Sequence, residues 1–499
     1  MKSGNIHTWA FTKLVRAAYD KAEREKQSID DLIKIWPPRH LSVQHAPELG
    51  LDVGVDDYEE AGLTAVPRMF VKLLHFVAPR SDPNDRWRSP DEAREELRAM
   101  FGERLLSQVK WDDPTSDAAL VRLATQGLAA HMLRRVEPGL YEVDLSFLLQ
   151  MKTRPGFVPA GARLVLRGSD ARSLELVSIR WARGEHRPGE AEWELAKLAF
   201  RVAVGIVGTV RDHAVKCHFL SANSAVIATR IVLPPTHDVR SLLRAFQFRT
   251  PAINSGALVT LIPRRAIFHR LFPFEWEGLS ALYAYAKRDY RFLSLPDELR
   301  EAGTHPEQLP NMPYAEDALE IWRLLETLVR DYLALIDAGE KKPTDDPDLV
   351  AFHAQLVRLL PPTAGLPSID TREGLVLVLT RLLYDATGGH EQYGGGIGDY
   401  LDDLRFVVPN MRDGRSFEEC LPSRMTMIQG TMLGVLTNFR MPGIRSDFAP
   451  LVPERGRPAV ATFREGLGAL AEEVKRRNAT RTQHLVTFDP DHMEISVSI

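Results

Sequence analysis

Between Gly139 and His186 the apolar residues alternate or cluster in short β-rich runs, LYEVDLSFLL, ARLVLRG and SLELVSIRW, separated by Gly, Pro and Asp. This pattern predicts a small antiparallel sheet over 139–186. From Glu190 onward the apolar positions recur at helical spacing. The longest helix is expected from Ala191 to about Val232, stopped by Pro234-Pro235, with others over 275–290, 314–337, 347–359, 371–386, 424–438 and 456–477. Before the sheet, a helical pattern rich in exposed charge covers 1–35, and a Pro- and Gly-punctuated stretch over 36–65 reads as loop. Residues 90–135 read as helical again, opening on the capping signal Ser89-Pro90-Asp91. No fixed-period repeat, Ser/Gly linker or charge block divides the chain. The fold expected is mainly α: one large helical domain with a small antiparallel β-sheet, divided into a helical and loop lead-in (1–135), the sheet (139–186) and a helical core (190–499).

Composition narrows the function classes. The chain has 63 basic and 67 acidic residues, a net charge of −4, so the basic footprint of a nucleic-acid binder is absent. Two cysteines, Cys217 and Cys420, give no disulfide framework and favour a reducing compartment. The N-terminus, MKSGNIHTWAFTKLVRAAYDK, has no apolar core followed by a small-residue cleavage site, and no run of eighteen apolar residues occurs, so no transmembrane segment is expected. The expectation is a cytoplasmic protein.

Chemistry concentrates in a few of the fifteen histidines. His213 and His218 lie in WELAKLAFRVAVGIVGTVRDHAVKCHFLSANSAVIATRIVL, an almost wholly apolar helix. A buried imidazole without a partner is costly. In a regular α-helix, residues five apart point about 140° away from each other. The two could share a metal only where the helix is locally widened into a π-bulge, a feature that concentrates at functional sites. The competing reading puts them on different faces, each bonded to its own neighbour. His390 stands in YDATGGHEQYGGGIGDY, after an apolar helix and before a glycine cluster. That cluster lacks the Lys-Ser/Thr of a phosphate loop, so close backbone approach or a turn is the better account. The chain closes on FDPDHMEISVSI, an apolar ending. A buried terminal carboxylate must be paired or metal-bound, and a strand or tail docked on the surface is the alternative.

In order along the chain, these residues resemble the catalytic domain of the lipoxygenase family, in a short, bacterial-type form without the N-terminal β-barrel lipid-binding domain. Trp193-Glu194-Leu195-Ala196-Lys197 and Arg201 resemble the family's W-x-L-A-K helix start and the arginine after it. His213-x4-His218, Ala228-Thr229-Arg230, His237, Leu242-Leu243 and Ala252-Ile253-Asn254 resemble its histidine-rich segment. Leu295-Pro296-Asp297-Glu298 and the stretch from Pro313-Tyr314-Ala315-Glu316-Asp317 to Trp322 resemble its connecting segments. Phe463-Arg464 and Arg477-Asn478 resemble its last long helix, and Ser-Val-Ser-Ile its closing motif. The resemblance implies a non-haem iron (Fe2+/Fe3+) held by His213, His218, His390 and the C-terminal carboxylate of Ile499, with manganese as the alternative metal. It implies a dioxygenase that inserts O2 into a polyunsaturated fatty acid through hydrogen abstraction from a bis-allylic carbon, giving a hydroperoxide. The partners implied are an unsaturated fatty acid or other apolar small molecule and O2, without nucleic acid; peripheral membrane contact stays open.

Two departures bear on this. The position four after His390, where the family carries Asn, His or Ser, is Gly394, so a fifth protein ligand is missing there and the position is vacant or taken by water. The family's nearby glutamine corresponds to Ile397, and a histidine five before the first ligand is replaced by Gly208. These changes keep alive an alternative, an iron oxygenase of the same fold acting on another apolar or natural product. A further alternative is a non-catalytic lipid-binding relative. Near Phe274–Gly278, where the channel mouth is expected, Arg264, Arg265 and Arg270 offer either a partner for a fatty-acid carboxylate or a solvated basic surface.

Overall fold

In the middle of the fold, one helix runs in three conformations without a break. It is α-helical over Trp193–Ile206 (α3), π-helical over Val207–Ala222, and α-helical again over Asn223–Val232 (α4). Phe200, Ala203, Val204, Ile206, Val207 and Val210 are buried on every side of it, as expected of a helix that is apolar all round. The computed structural model describes residues 41–56, 85–101, 113–337, 342–395, 404–406, 408–437, 441–482 and 484–497. The helical pattern at 1–35 lies outside them.

The elements before the central helix form its floor. Two helices, α1 (Pro90–Phe101) and α2 (Asp117–Thr125), precede a five-stranded antiparallel meander in the order β3-β4-β5-β6-β7. Its strands are Arg134–Glu137, Leu140–Asp144, Ala162–Arg167, Glu175–Trp181 and Gly184–His186. The sheet therefore begins at Arg134, five residues before the expected boundary, and the tail of the 90–135 helical pattern is strand. The reason is the turn at Pro138-Gly139, where Gly139 takes φ +75° and returns β3 against β4. Ala162, Leu164 and Leu166 are buried, and β5 and β6 pack against α3.

The stretch 36–65, expected to be loop, contains a hairpin, β1 (Leu41–Ala46) with β2 (Leu51–Asp56). Its alternation is weak because most of β1 faces solvent or the rim. What holds it is tertiary: Gly54 N donates to Asn223 Oδ1 at 3.0 Å, and Asn223 Nδ2 donates to the Asp52 carbonyl at 2.8 Å.

After the central helix come α5 (Thr250–Thr260), α6 (Trp276–Arg288), α7 (Pro313–Asp337), α8 (Arg372–Tyr384), α9 (His390–Tyr393), α10 (Arg424–Thr437) and α11 (Arg457–Asn478), with further helices between them, among them Pro347–Leu359. A second π segment, Asp385–Gly389, joins α8 to α9. The architecture is mainly helical with small antiparallel sheets, as the sequence pattern predicts. Among the described residues no helix is long and apolar enough to cross a membrane. One continuous apolar core reaches from Ala46 to Val497.

The long helices α7 and α11 lie against each other and are pinned by a buried charge. Asp317, fully buried on α7, accepts from Arg477 Nη1 at 2.7 Å and from Arg481 Nη1 and Nη2 at 2.6 and 3.0 Å. Removing one partner of such a cluster strands the others without compensation. Asp317→Ala is expected to lower stability by about 3 kcal/mol, read as a shift of the urea midpoint; an unchanged midpoint would mean that the cluster does not support this helix pair.

Candidate metal centre

The π conformation settles the awkward spacing of His213 and His218. A π-helix bonds residue i to i+5, so residues five apart return to one face. Both histidines lie inside the widened segment, and their Nε2 atoms are 3.2 Å apart. His390 enters from the opposite wall, directly after the second π segment, with its Nε2 at 3.1 Å from that of His213. All three rings are buried, at 8%, 4% and 4% exposure. Candidate donor atoms of the three histidines lie within 4.8 Å of one another.

Elementary hydrogen bonding shows that three neutral imidazoles cannot satisfy one another here. Asn254, fully buried on α5, accepts from His218 Nδ1 at 2.9 Å and donates through Nδ2 to the His218 carbonyl at 3.0 Å. This fixes the proton of His218 on Nδ1 and leaves the lone pair of Nε2 facing the other two rings. One proton on His213 Nε2 can point at one neighbour, not both. A cation facing all three lone pairs removes the conflict, and an all-imidazole face suits iron, copper, nickel or zinc. Burial, and then the neighbouring His218 and His390, hold the pKa of His213 well below the ordinary histidine value, which keeps the ring in its ligating neutral form.

The surroundings lock the two π segments together. Asp385, at the head of the second segment, accepts from Ser221 Oγ of the first at 2.5 Å and from Arg381 Nε at 2.8 Å, while its carbonyl accepts from Cys217 Sγ at 3.2 Å. Arg381 continues to Glu298 and to the Leu293 carbonyl, each at 2.6 Å. On the other side, His131 bridges residues one and two positions from His213 and His390. Its Nε2 donates to Asp212 Oδ2 at 3.0 Å, and its Nδ1 accepts from Gln392 Nε2 at 3.3 Å. Burial lowers the pKa of His131 against the pull of Asp212. Burial pushes the Asp212 carboxyl upward, but Arg211, His131 and Lys216 together hold it well below the usual range.

Comparison with known proteins gives this arrangement its context. Residues 169–395, which include all three histidines, match the family model Lipoxygenase. Over that stretch the chain is similar to the lipoxygenase family. This is a family of oxidoreductase dioxygenases. The chain is 24% identical over 420 residues to human polyunsaturated fatty acid lipoxygenase ALOX15B, covering 77% of this chain and 61% of that protein. It is 27% identical over 256 residues to linoleate 9/13-lipoxygenase of Pseudomonas aeruginosa, covering 48% of this chain and 37% of that one. The chain thus spans less than two thirds of the length of either relative. Coral 8R-lipoxygenase superposes with a TM-score of 0.78 at 16% identity, over 95% of this chain and 81% of that one. Manganese lipoxygenase of Gaeumannomyces graminis superposes with a TM-score of 0.72 at 15% identity, over 96% and 97%. These likenesses give the fold, the helical lipoxygenase catalytic architecture.

Against that fold the other residues singled out in the sequence fall into place. Ile499 and Ile397 lie outside the described residues. Gly208 packs on Leu128, and a Cβ there would meet Leu128 Cδ2 at 2.8 Å, so a histidine would fit only if Leu128 shifted. Gly394 faces the centre itself: a Cβ would stand 2.8 Å from His213 Nε2. The missing side chain is therefore matched by a missing space. Gly278 lies against the backbone of Lys152, where a Cβ would come within 2.3 Å of its carbonyl oxygen. Arg264, Arg265 and Arg270 are exposed, in keeping with a solvated basic surface. Sequence reasoning matched Asn254 as part of a motif without a role, and did not reach the Asp385 and His131 networks. The usable signals were an asparagine and an aspartate placed within apolar helical runs. Asn254→Ala should weaken metal binding about 10- to 100-fold, measured by chelator competition; an unchanged affinity would deny Asn254 its part in aligning His218.

Proposed function

We propose that this lipoxygenase-like chain is a non-haem iron dioxygenase acting on an unsaturated fatty acyl chain, with His213, His218 and His390 as imidazole ligands and Ile499 supplying a carboxylate. The observation that carries this reading is the convergence of three buried Nε2 atoms whose mutual contacts no arrangement of protons satisfies. Support for the carboxylate comes from the tail that leads toward Ile499. Ile495, Ser496 and Val497 are fully buried, and Ser496 Oγ donates to the Phe248 carbonyl at 3.1 Å. Iron held by these residues would supply one-electron redox chemistry for the net insertion of O2 into a bis-allylic C–H bond, the hydrogen removed from carbon being returned to the outer oxygen of the hydroperoxide. The protein's own part is to keep the imidazoles neutral, to orient His218 through Asn254, and to exclude water by packing the apolar core around the three rings. The same proposal places the protein in the cytoplasm, with residues 190–499 forming the metal-binding core and both cysteines reduced; Cys217 and Cys420 are free and buried.

A second reading is favoured by one observation. Gly394 offers no donor, and a side chain there would collide with His213. A centre with fewer protein ligands suits an oxygenase turned to a different apolar substrate, and manganese in place of iron fits the same donor set. Purified protein expressed with iron is expected to carry stoichiometric metal, to consume O2 with linoleate or arachidonate, and to build up conjugated diene absorbance. Iron without oxygen uptake on any fatty acid would sink the fatty-acid reading and leave the second one standing. Protein that takes up neither iron nor manganese would favour a lipid-binding relative. Appending one residue after Ile499 is expected to abolish most metal occupancy; full occupancy in the extended variant would remove Ile499 from the ligand set.

A further inference from the structure

We propose that Glu391 is a positioning residue for the metal centre, a latch whose carboxylate ties the C-terminal segment to the helical turn carrying His390. The inference rests on the metal-site reading above. Glu391 follows His390 directly, and its Oε1 accepts the main-chain N–H of Glu494 at 2.8 Å. The tail is also held along its length. Glu494 pairs with Gly443 in an antiparallel bridge, and the N–H groups of Ile444 and Ile495 donate to the Met493 and Pro442 carbonyls, each at 2.9 Å. Glu494 Oε1 in turn accepts from Met441 N at 2.8 Å. These bonds attach the tail to the 441–444 segment, which carries no candidate ligand. The Glu391 bond attaches it to the ligand-bearing turn.

A second observation points the same way. The glycines after Tyr393 make room for two groups of this centre. A Cβ at Gly394 would stand 2.8 Å from His213 Nε2, and one at Gly395 would stand 3.0 Å from Glu391 Oε2. One glycine thus accommodates a ligand ring and the next accommodates the latch carboxylate. Candidate donor atoms of His390, Glu391 and Glu494 lie within 4.8 Å of one another, so the latch closes beside the ligand rather than at the far end of the tail. A carboxylate accepting an amide N–H makes a stronger bond than a neutral acceptor, and bonds that orient ligands from outside commonly govern metal affinity. The latch sets how far residues beyond Glu494 can drift from the imidazole face.

The test compares the wild-type chain with E391Q, E391L and E391D. Iron affinity by chelator competition is read beside apo-protein unfolding midpoints and amide exchange at Glu494. E391Q keeps an acceptor oxygen and should stay within a few-fold of wild type. E391L should lose about 10- to 100-fold in affinity, with faster exchange at Glu494 and an apo midpoint close to wild type. E391D, one methylene short, should follow E391L, and it carries the test if the leucine variant fails to fold. Wild-type affinity in E391L or E391D would overturn the latch, as would E391Q falling as far as E391L. Absence of iron binding in the wild type would instead overturn the metal-site reading, while exchange at Glu494 would still report whether the bond exists.

Discussion

Three neutral imidazoles pressed together in an apolar core are unstable by themselves, and much of the structure around them can be understood as the means of holding them there. His213 and His218 share a face only because sixteen residues of the central helix are wound as π. That winding leaves carbonyls and rings in need of partners, and Asn254 answers two of those needs on His218 at once. Asp385 then links Ser221 and Arg381, so the first π segment cannot move independently of the second, which delivers His390. His131 does the same on the opposite side through Asp212 and Gln392. Asn254, Asp385, Ser221, Arg381, His131, Asp212 and Gln392 form a frame, and each of these side chains has a hydrogen-bond partner.

This frame explains why the site tolerates a glycine where the family carries a side chain. Position 394 follows a single turn of α-helix after His390, so its Cα lies close to His213. Restoring a donor there would need the His213 ring to move, and that ring is held by the winding of its own helix. The centre has settled into a tighter arrangement, built around the backbone of Gly394 in place of a side chain.

The mainly helical fold and the three histidines were legible in the sequence, because apolar periodicity over long windows is robust to local detail. The boundaries of the long helices fell within a residue or two of those observed, as at 347–359 and 424–437. The hairpin at Leu41–Asp56 was not legible, since its strands expose most of one face and depend on Asn223, far away in the chain. The start of the sheet at Arg134 was hidden by a helix-compatible Leu-Arg-Arg-Val run that the Pro138-Gly139 turn overrules. For the site, spacing alone could not decide between a shared face and two separate faces for His213 and His218. Winding is a tertiary outcome: the same sequence in an isolated peptide has no reason to prefer the π form. Asn254 and Asp385 were visible only as polar letters among apolar ones, without any sign of what they bond.

The π winding can also be seen as an insertion carried within a helix. Two histidines one turn apart on an ordinary α-helix need a spacing of four, and this chain has five, so one residue between Ala214 and Cys217 is in excess of what an α-helical pair requires. Were it deleted with the winding unchanged, everything downstream, His218 included, would turn by roughly a quarter of a turn about the axis. Asn223 would swing away from Gly54 and Asp52, and the N-terminal hairpin would lose its anchor. The surplus residue is thus fixed in place by commitments on both sides of the histidine cluster, and a lineage with this architecture can alter the histidines one by one more easily than it can shed the extra step between them.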